Sequence, residues 1–522
     1  MKRTLSYYLL LFGQCLFLIL FCILVIQIIF SMKSSDSIFN DISVLKMLLY
    51  AMGIGGILMY LACLKEKSLL KHRKELIIIV WLFWSALQGI YIYATYSQTG
   101  SDSYVVNFFA WNITHNMESD SFFWQYFARY QNNVPLLLLL SGCYKLIGGL
   151  FSFEDSWIII AIVSGLFADL AIFWTVKLSS AICECDIGVF FSFISALLLI
   201  GLGEEATVFY SDIIALWTIP CSLFFYFQAF KKHKKVFRNI ILSAIVIGIG
   251  GVFKPQVFLV AVSIFIIKGL YSIHFLLNKI AISDFKYFVI FFSSMLVLYF
   301  CLYSTSVSWY TSILPEKYNK NDYLYEQKYP SVHWINMGLN EYYGSYSEQD
   351  VEFTGNILGL EEKKTALKLS IKQRLEDRSL KDLILYENRK VLLAIQNGTF
   401  SQDMVWKGTL LNESSLAQCL QHVFVAIYPE WKSGLGLIVQ TLYIYIIMLC
   451  LYVVFRQLQS GRWFEESFTQ VMTVTLIGGI CFIILLERNM RYFYSLVPIL
   501  IALSSKGIES IKSRDMSLNC NT

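Results

Sequence analysis

The sequence predicts an all-α polytopic membrane protein of about twelve spans, and three observations carry that prediction. First, 57% of the 522 residues are hydrophobic and only 15% are charged, against roughly 25% charge in soluble domains; the mean hydropathy is +0.58. Second, the chain divides into apolar runs long enough to cross about 30 Å of hydrocarbon, which takes about 20 residues each. Third, the basic residues fall in short clusters between those runs, such as Lys65, Lys67 and Lys71–Lys74, or Lys231–Lys235. Clusters of that kind mark cytoplasmic loops, so the net charge of +5 is no signature of nucleic-acid binding.

The first run covers residues 7–30 behind Lys2 and Arg3. It is too long for a signal-peptide core of roughly 7 to 15 residues, and Ser31-Met32-Lys33 is not a small-residue cleavage site, so it reads as a retained span. Further spans are expected at 45–63, 76–96, 157–176, 187–203, 207–230, 237–253, 256–273, 287–304, 434–455, 468–486 and 490–505. The run Val134–Leu150 is shorter and carries Lys145. If it crossed, the Lys231–Arg238 cluster and the tail from Lys506 to Arg514 would move to the outer side. Reading it as a helix in the outer interface keeps every basic loop on the side of Lys2 and Arg3, and both termini are then cytoplasmic.

Two polar regions remain outside. One is the loop 97–133 leading into the interfacial helix 134–150. The other, 305–432, is too long for a plain connector. Within it Leu358, Leu360, Leu367, Ile371, Leu375, Leu380, Leu383 and Leu385 recur at helical spacing among charges, continuing to about Ile395. The expected organisation is an added two-helix segment at 1–75, a membrane core at 76–304, a small α-rich extracytoplasmic domain at 305–432, and C-terminal spans with a tail at 433–522. Of the 12 cysteines most lie in apolar stretches, and the extracytoplasmic segment holds only Cys419, which excludes an internal disulfide there.

Ionisable residues at membrane depth are functional candidates, and on this topology five groups share the outer face. They are Asp102 with Glu118 and Asp120; Arg129 with Asn132 and Asn133; Glu204–Glu205 with Tyr210 and Asp212; Lys254, which precedes Pro255; and Glu487, Arg488, Arg491 and Tyr492. Each has a plainer reading: a carboxylate at a span end can simply be solvated, Lys254 can snorkel, and the arginines can meet lipid headgroups. His115 and His333 read as structural, since no His-x-x-x-His spacing supports a metal. Taken together, carboxylates beside cations suit a reaction in which a hydroxyl is deprotonated while an anionic phosphate departs.

At these residues the chain resembles the GT-C glycosyltransferase superfamily, in the branch of protein O-mannosyltransferases and bacterial envelope aminoarabinose-type transferases. The likeness covers roughly 76–304 and 434–505. Gly100-Ser101-Asp102-Ser103-Tyr104 falls where that family carries its catalytic Asp in the first outer loop. Tyr126–Pro135 resembles the Arg-Tyr-Pro or Tyr-Pro-Asn-Asn stretch opening its juxtamembrane helix, with Gln131 where Pro is expected. Phe209–Asp212 and Arg488–Tyr492 with Pro498 resemble its later outer-loop Asp and the entrance to its last spans. His333–Leu339 and Gly344–Asp350 resemble a pattern in Gram-positive relatives of the branch.

The resemblance implies a polyprenyl-phosphate-linked monosaccharide donor and inverting transfer to an extracytoplasmic glycan, lipid or protein. Asp102 would be the base. Lys254 and Arg491, with Arg129 or Arg488, would bind the donor phosphate. Asp212, Glu204, Tyr210, Asn132, Asn133, Glu487 and Tyr492 would orient sugar, acceptor or a divalent metal ion, which stays open as a cofactor. Competing classes are a transporter or flippase of a lipid-linked glycan, a ligase moving a whole polymer, and a non-enzymatic assembly protein. A transporter places ionisable groups near the midplane, where this sequence offers Asp169; a scaffold has no need of the Asp102 grouping.

Overall fold

The computed structural model describes residues 4–31, 53, 73–97, 101–147, 150–230, 232–277, 285–318, 320–398, 400, 411–424, 434–461 and 467–519. The elements are helices throughout. Among the described residues nine stretches are long and apolar enough to cross a membrane. The membrane helices are α1 (Leu5–Ser31), α2 (Arg73–Thr95), α6 (Phe153–Ile182), α7 (Asp186–Ala196), α8 (Ser211–Leu216) with α9 (Thr218–Phe230), α10 (Val236–Phe253), α11 (Phe258–Leu277), α12 (Phe285–Ile313), α19 (Gly434–Gln459), α20 (Ser467–Leu485) and α22 (Val497–Asn519). Short helices α3 (Ser101–Thr114), α4 (Ser121–Arg129) and α5 (Val134–Ile147) follow α2.

Nine of the twelve expected spans therefore stand. The expected span 45–63 lies outside the described residues. That at 187–203 becomes the shorter apolar helix Asp186–Gly201, whose last turn, Leu197–Gly201, widens to a π-helix. That at 490–505 is broken: α21 (Met490–Tyr494) ends one turn before α22, and α22 runs on into the charged Lys506–Arg514 tail. Helix α12 extends beyond residue 304 to Ile313.

Lipid removes most of the hydrophobic drive for helices to associate, so close packing must hold the bundle. Helix α6 supplies it with a seam of small buried residues, including Ala161, Ser164, Gly165, Ala168, Ala171, Thr175 and Ser179, at helical spacing. Helices α7, α9 and α22 lie along that seam. Ser179 and Ser192 hydrogen-bond across it at 2.6 Å. At the other end of α7, a Cβ on Gly188 would stand 2.6 Å from the Ser505 carbonyl of α22, so only glycine permits this approach.

Within the expected interfacial stretch, α5 has 14 residues that at 1.5 Å each reach about 21 Å, short of the roughly 30 Å of bilayer hydrocarbon. Its apolar side, with Leu136, Leu137, Leu140 and Tyr144, packs on α3 and α12, and Lys145 is exposed.

The segment after α12 folds into short polar helices: α13 (Lys320–Gln327), α14 (Val332–Met337), α15 (Glu348–Gly355), α16 (Leu360–Glu376) and α17 (Leu380–Ile395). The helical pattern expected from 358 to 395 is thus two helices, parted where the Ser379 hydroxyl caps α17 by accepting from the Asp382 amide at 3.2 Å. Buried Asp350 ties this layer together, receiving Arg374 Nη2 at 2.6 Å and the Asn336 amide at 3.0 Å. The layer packs on α4, α20 and α21 at one end of the bundle. Lys390, wholly buried on α17, fastens it there by donating to the carbonyls of Gly338 at 2.7 Å and Ile484 at 2.9 Å. A last short helix, α18 (Ser415–Phe424), packs along α2. His333 is buried against Thr354 at 2.8 Å, where burial pulls it down to about 4 and keeps the ring neutral.

Candidate functional site

The site lies at the bundle end covered by the polar layer, where five chain breaks converge. Asp102 sits in the first turn of α3, where the helix N-terminus favours negative charge. Tyr126 donates to its Oδ1 at 2.7 Å, and Tyr210 approaches Oδ2 at 3.4 Å. Asn133 braces both phenols: its amide donates to Tyr126 Oη at 2.8 Å, and its carbonyl oxygen accepts from Tyr210 at 3.2 Å. Asn132 in turn donates to Asn133 Oδ1 at 3.2 Å. Asp102 is thus oriented by two phenols while remaining only partly buried.

Lys254 reaches the same space because Pro255 follows it. The residue before a proline is pushed out of the helical region, and Lys254 is extended at φ −143°, ψ 107°, ending α10 and turning its side chain inward. Its Nζ lies 2.5 Å from Asp212 Oδ1, and Arg491 Nη1 lies 3.6 Å from Asp212 Oδ2. Asp212 is fully buried in the first turn of α8. Two aromatic faces complete the cation cluster: Arg491 is 5.1 Å from the Tyr210 ring and Lys254 is 5.1 Å from the Tyr492 ring. The Tyr492 hydroxyl donates to Glu487. Asp102, Tyr210, Arg491, Asp212, Lys254, Tyr492 and Glu487 therefore form one continuous chain of contacts.

Glu205, grouped with Glu204 in the sequence but given no role of its own there, joins them. Beyond the π-helical turn, a 3₁₀ turn at Glu204–Ala206 brings Glu205 within reach of Asp212, Arg491 and Lys254. Ser164 on α6 holds that turn, meeting the carbonyls of Glu205 and Val208 at 3.0 Å each. Burial first, and then the Asp212 charge, push the Glu205 carboxyl up to about 7. Burial likewise raises Glu487. The expected residue was Glu204, whose side chain lies outside what the structure describes.

Two expected phosphate ligands are elsewhere. Arg129, the last residue of α4, meets the polar layer, 5.7 Å from the Tyr329 ring and against Gly355. Arg488 also turns into the polar layer: its amide donates to the Gly344 carbonyl at 2.6 Å, and its side chain lines a cavity with Tyr342, Tyr343 and Tyr346. Glu118 and Asp120 belong to the turn before α4, where Asp120 caps the helix. Mid-span Asp169 accepts from Trp84 Nε1 at 3.2 Å, a partner supplied within the bundle.

Among the described residues no three His, Cys, Asp or Glu side chains converge closely enough to hold a metal ion, and both Asp212 oxygens face cations.

Fold and composition define a multi-pass integral membrane protein. The chain belongs to the family described as "Conserved hypothetical integral membrane protein", which matches residues 7–511. No curated protein and no solved structure matches it.

Proposed function

We propose that the protein is a membrane glycosyltransferase of GT-C type, moving a monosaccharide from a polyprenyl-phosphate donor to an extracytoplasmic acceptor. The observation that carries this reading is the single cluster running from a tyrosine-held carboxylate, Asp102, to paired cations, Lys254 and Arg491. Such a cluster separates the two charges that sugar transfer develops. The acceptor oxygen attacks the anomeric carbon, its proton passes to Asp102, and the bond to the phosphate oxygen breaks with its electron pair leaving on the phosphate. Attack opposite the leaving group inverts the anomeric centre.

Lys254 and Arg491 stabilise the departing phosphate by charge-assisted contacts. Asp212 places those cations and keeps free lone pairs for sugar hydroxyls, since an ionised carboxylate offers about four acceptor sites. The upward shifts of Glu205 and Glu487 limit the negative charge beside Lys254 and Arg491, which favours binding of an anionic phosphate.

Orientation is supported by the charge distribution. Lys232, Lys234, Lys235, Arg238 and Arg456 lie at the end of the bundle away from the site, as does Thr4, bonded to His274 near the far end of α11. The positive-inside rule favours a cytoplasmic location for that end and for both termini. A lipid-linked donor also fits an apolar bundle, because its head must stand at the interface while its tail stays in hydrocarbon.

The test is to incubate the chain, purified into lipid nanodiscs, with a panel of polyprenyl-phosphate monosaccharides and isolated cell-envelope fractions. Release of free polyprenyl phosphate together with a newly glycosylated product is expected. Consumption of no donor in the panel, with every acceptor fraction present, would refute the reading.

A further inference from the structure

Beside the cleft, the polar layer carries an open 640 Å³ cavity at its surface that the reaction does not use, bordered by Glu341, Tyr342, Tyr343, Tyr346, Glu348 and Arg488. We propose that this cavity binds a neutral oligosaccharide, the acceptor end of the transfer, an inference that rests on the reading above and deepens it.

The chemistry of the rim points to carbohydrate. Tyr342, Tyr343 and Tyr346 are 59%, 41% and 66% exposed, an unusual concentration of half-open phenols within five residues. A phenol presents an apolar face and a polar tip, which matches the C–H face and hydroxyl rim of a pyranose. Glu341 and Glu348 accept from hydroxyls, and Arg488 donates to ring and hydroxyl oxygens. The volume lies within the roughly 300–1,000 Å³ of ligand sites. Two carboxylates against one guanidinium disfavour an anionic polymer such as a polyol phosphate.

The rim is also rigid, which lowers the ordering cost of binding. Asn340 Oδ1 accepts from the Tyr342 and Gly344 amides at 2.9 and 3.0 Å, and its amide donates to the Ser345 carbonyl at 2.6 Å. Tyr343 and Gly344 both take left-handed backbone, at φ 51° and 72°, so the turn doubles back tightly. The Tyr343 ring stacks on Tyr386 at 5.4 Å, and Tyr386 is anchored to the Gly338 and Asn340 carbonyls. The Arg488 amide joins this turn directly to the loop that carries Arg491.

The layer and the cleft are joined through aromatic rings: Tyr126, which donates to Asp102, lies 4.9 Å from the Tyr130 ring, and Tyr130 packs on Tyr329 and Trp334 of the polar layer.

The experiment measures binding of neutral linear tetrasaccharides (glucan, galactan, mannan and rhamnan types) and of a glycerol-phosphate oligomer to the full chain in nanodiscs by saturation-transfer NMR. At least one neutral oligosaccharide is expected to bind, with more than tenfold weaker binding to the Tyr342→Ala/Tyr346→Ala double variant. Tyr325→Ala removes a comparably exposed tyrosine elsewhere on the layer and should bind as the parent does. Glu348→Gln, a milder change at the same cavity, should weaken binding several-fold even if the double variant misfolds. Binding of none of the neutral sugars, parental binding by both the Glu348→Gln and double variants, or preference for the glycerol-phosphate oligomer would overturn the proposal. Sugar binding without transfer in the donor assay upholds the cavity and sinks the reaction. Transfer without sugar binding does the reverse.

Discussion

Glu205→Gln should flatten the pH dependence of stability. In the folded chain burial and Asp212 raise this carboxyl from 4.5 to about 7. At 1.36 kcal/mol for each tenfold change in proton affinity, that corresponds to about 3 kcal/mol. The sign follows from proton counting. Between about pH 4.5 and 7 the folded chain holds a proton that the unfolded chain has released, so stability is highest below that window, declines as pH rises through it and levels off above. Glutamine stays neutral throughout. Thermal unfolding in nanodiscs, followed by intrinsic fluorescence at a series of pH values, should show variant and parent diverging, with the variant more stable by about 3 kcal/mol at pH 8. Glu487 shifts in the same direction but is present in both proteins and cancels in the difference. The same proton couples to donor binding: a phosphate beside Glu205 raises its proton affinity further, so binding takes up a proton near neutral pH. Calorimetry in buffers of different ionisation enthalpy reads that uptake directly. Parallel stability curves for variant and parent would refute the argument, since Glu205 would then titrate as an ordinary exposed carboxyl.

Other consequences follow from the same contacts. Lys254→Met leaves the buried Asp212 carboxylate with Arg491 alone and should cost about 3 kcal/mol, part of which Asp212→Asn restores in the double variant; denaturant titration measures both. Tyr126→Phe removes the 2.7 Å hydrogen bond to Asp102 and the acceptor of the Asn133 amide, so sugar transfer should fall about tenfold while the unfolding temperature changes little. Arg374→Met strips buried Asp350 of its cation and should loosen the polar layer by about 3 kcal/mol; hydrogen exchange should rise in α14 to α16 and stay unchanged in α6 and α9.

Much of the bundle was legible because lipid imposes a simple rule: apolar runs of sufficient length become helices, and polar ones do not. The failures are equally physical. Hydropathy does not register the π-helical turn that shortens the 187–203 run, nor the break between Tyr494 and Val497, because both arise from backbone geometry within apolar sequence. At the site, Asp102, Asp212, Lys254 and Arg491 were legible as ionisable groups at helix ends, and Pro255 explains locally why Lys254 turns inward. Glu204 and Glu205 are indistinguishable in sequence; a 3₁₀ turn pinned by Ser164 sets where Glu205 stands. Arg129 and Arg488 carry no sequence signal that separates them from Arg491, yet their side chains meet the polar layer. Tyr126 could have been found from its seven-residue spacing to Asn133, since the two meet across the turn that joins α4 to α5. Tyr346 carried no comparable local signal.

The most direct test of the account is sugar transfer by Asp102→Asn in nanodiscs, with the donor that the parent protein consumes. Asparagine keeps the side chain's shape and can still accept from Tyr126, but it cannot take a proton from the acceptor hydroxyl. The account predicts a correctly folded variant with normal donor binding and transfer reduced by at least about a thousandfold, within the range that a positioned base supplies. Transfer at the parental rate would contradict it.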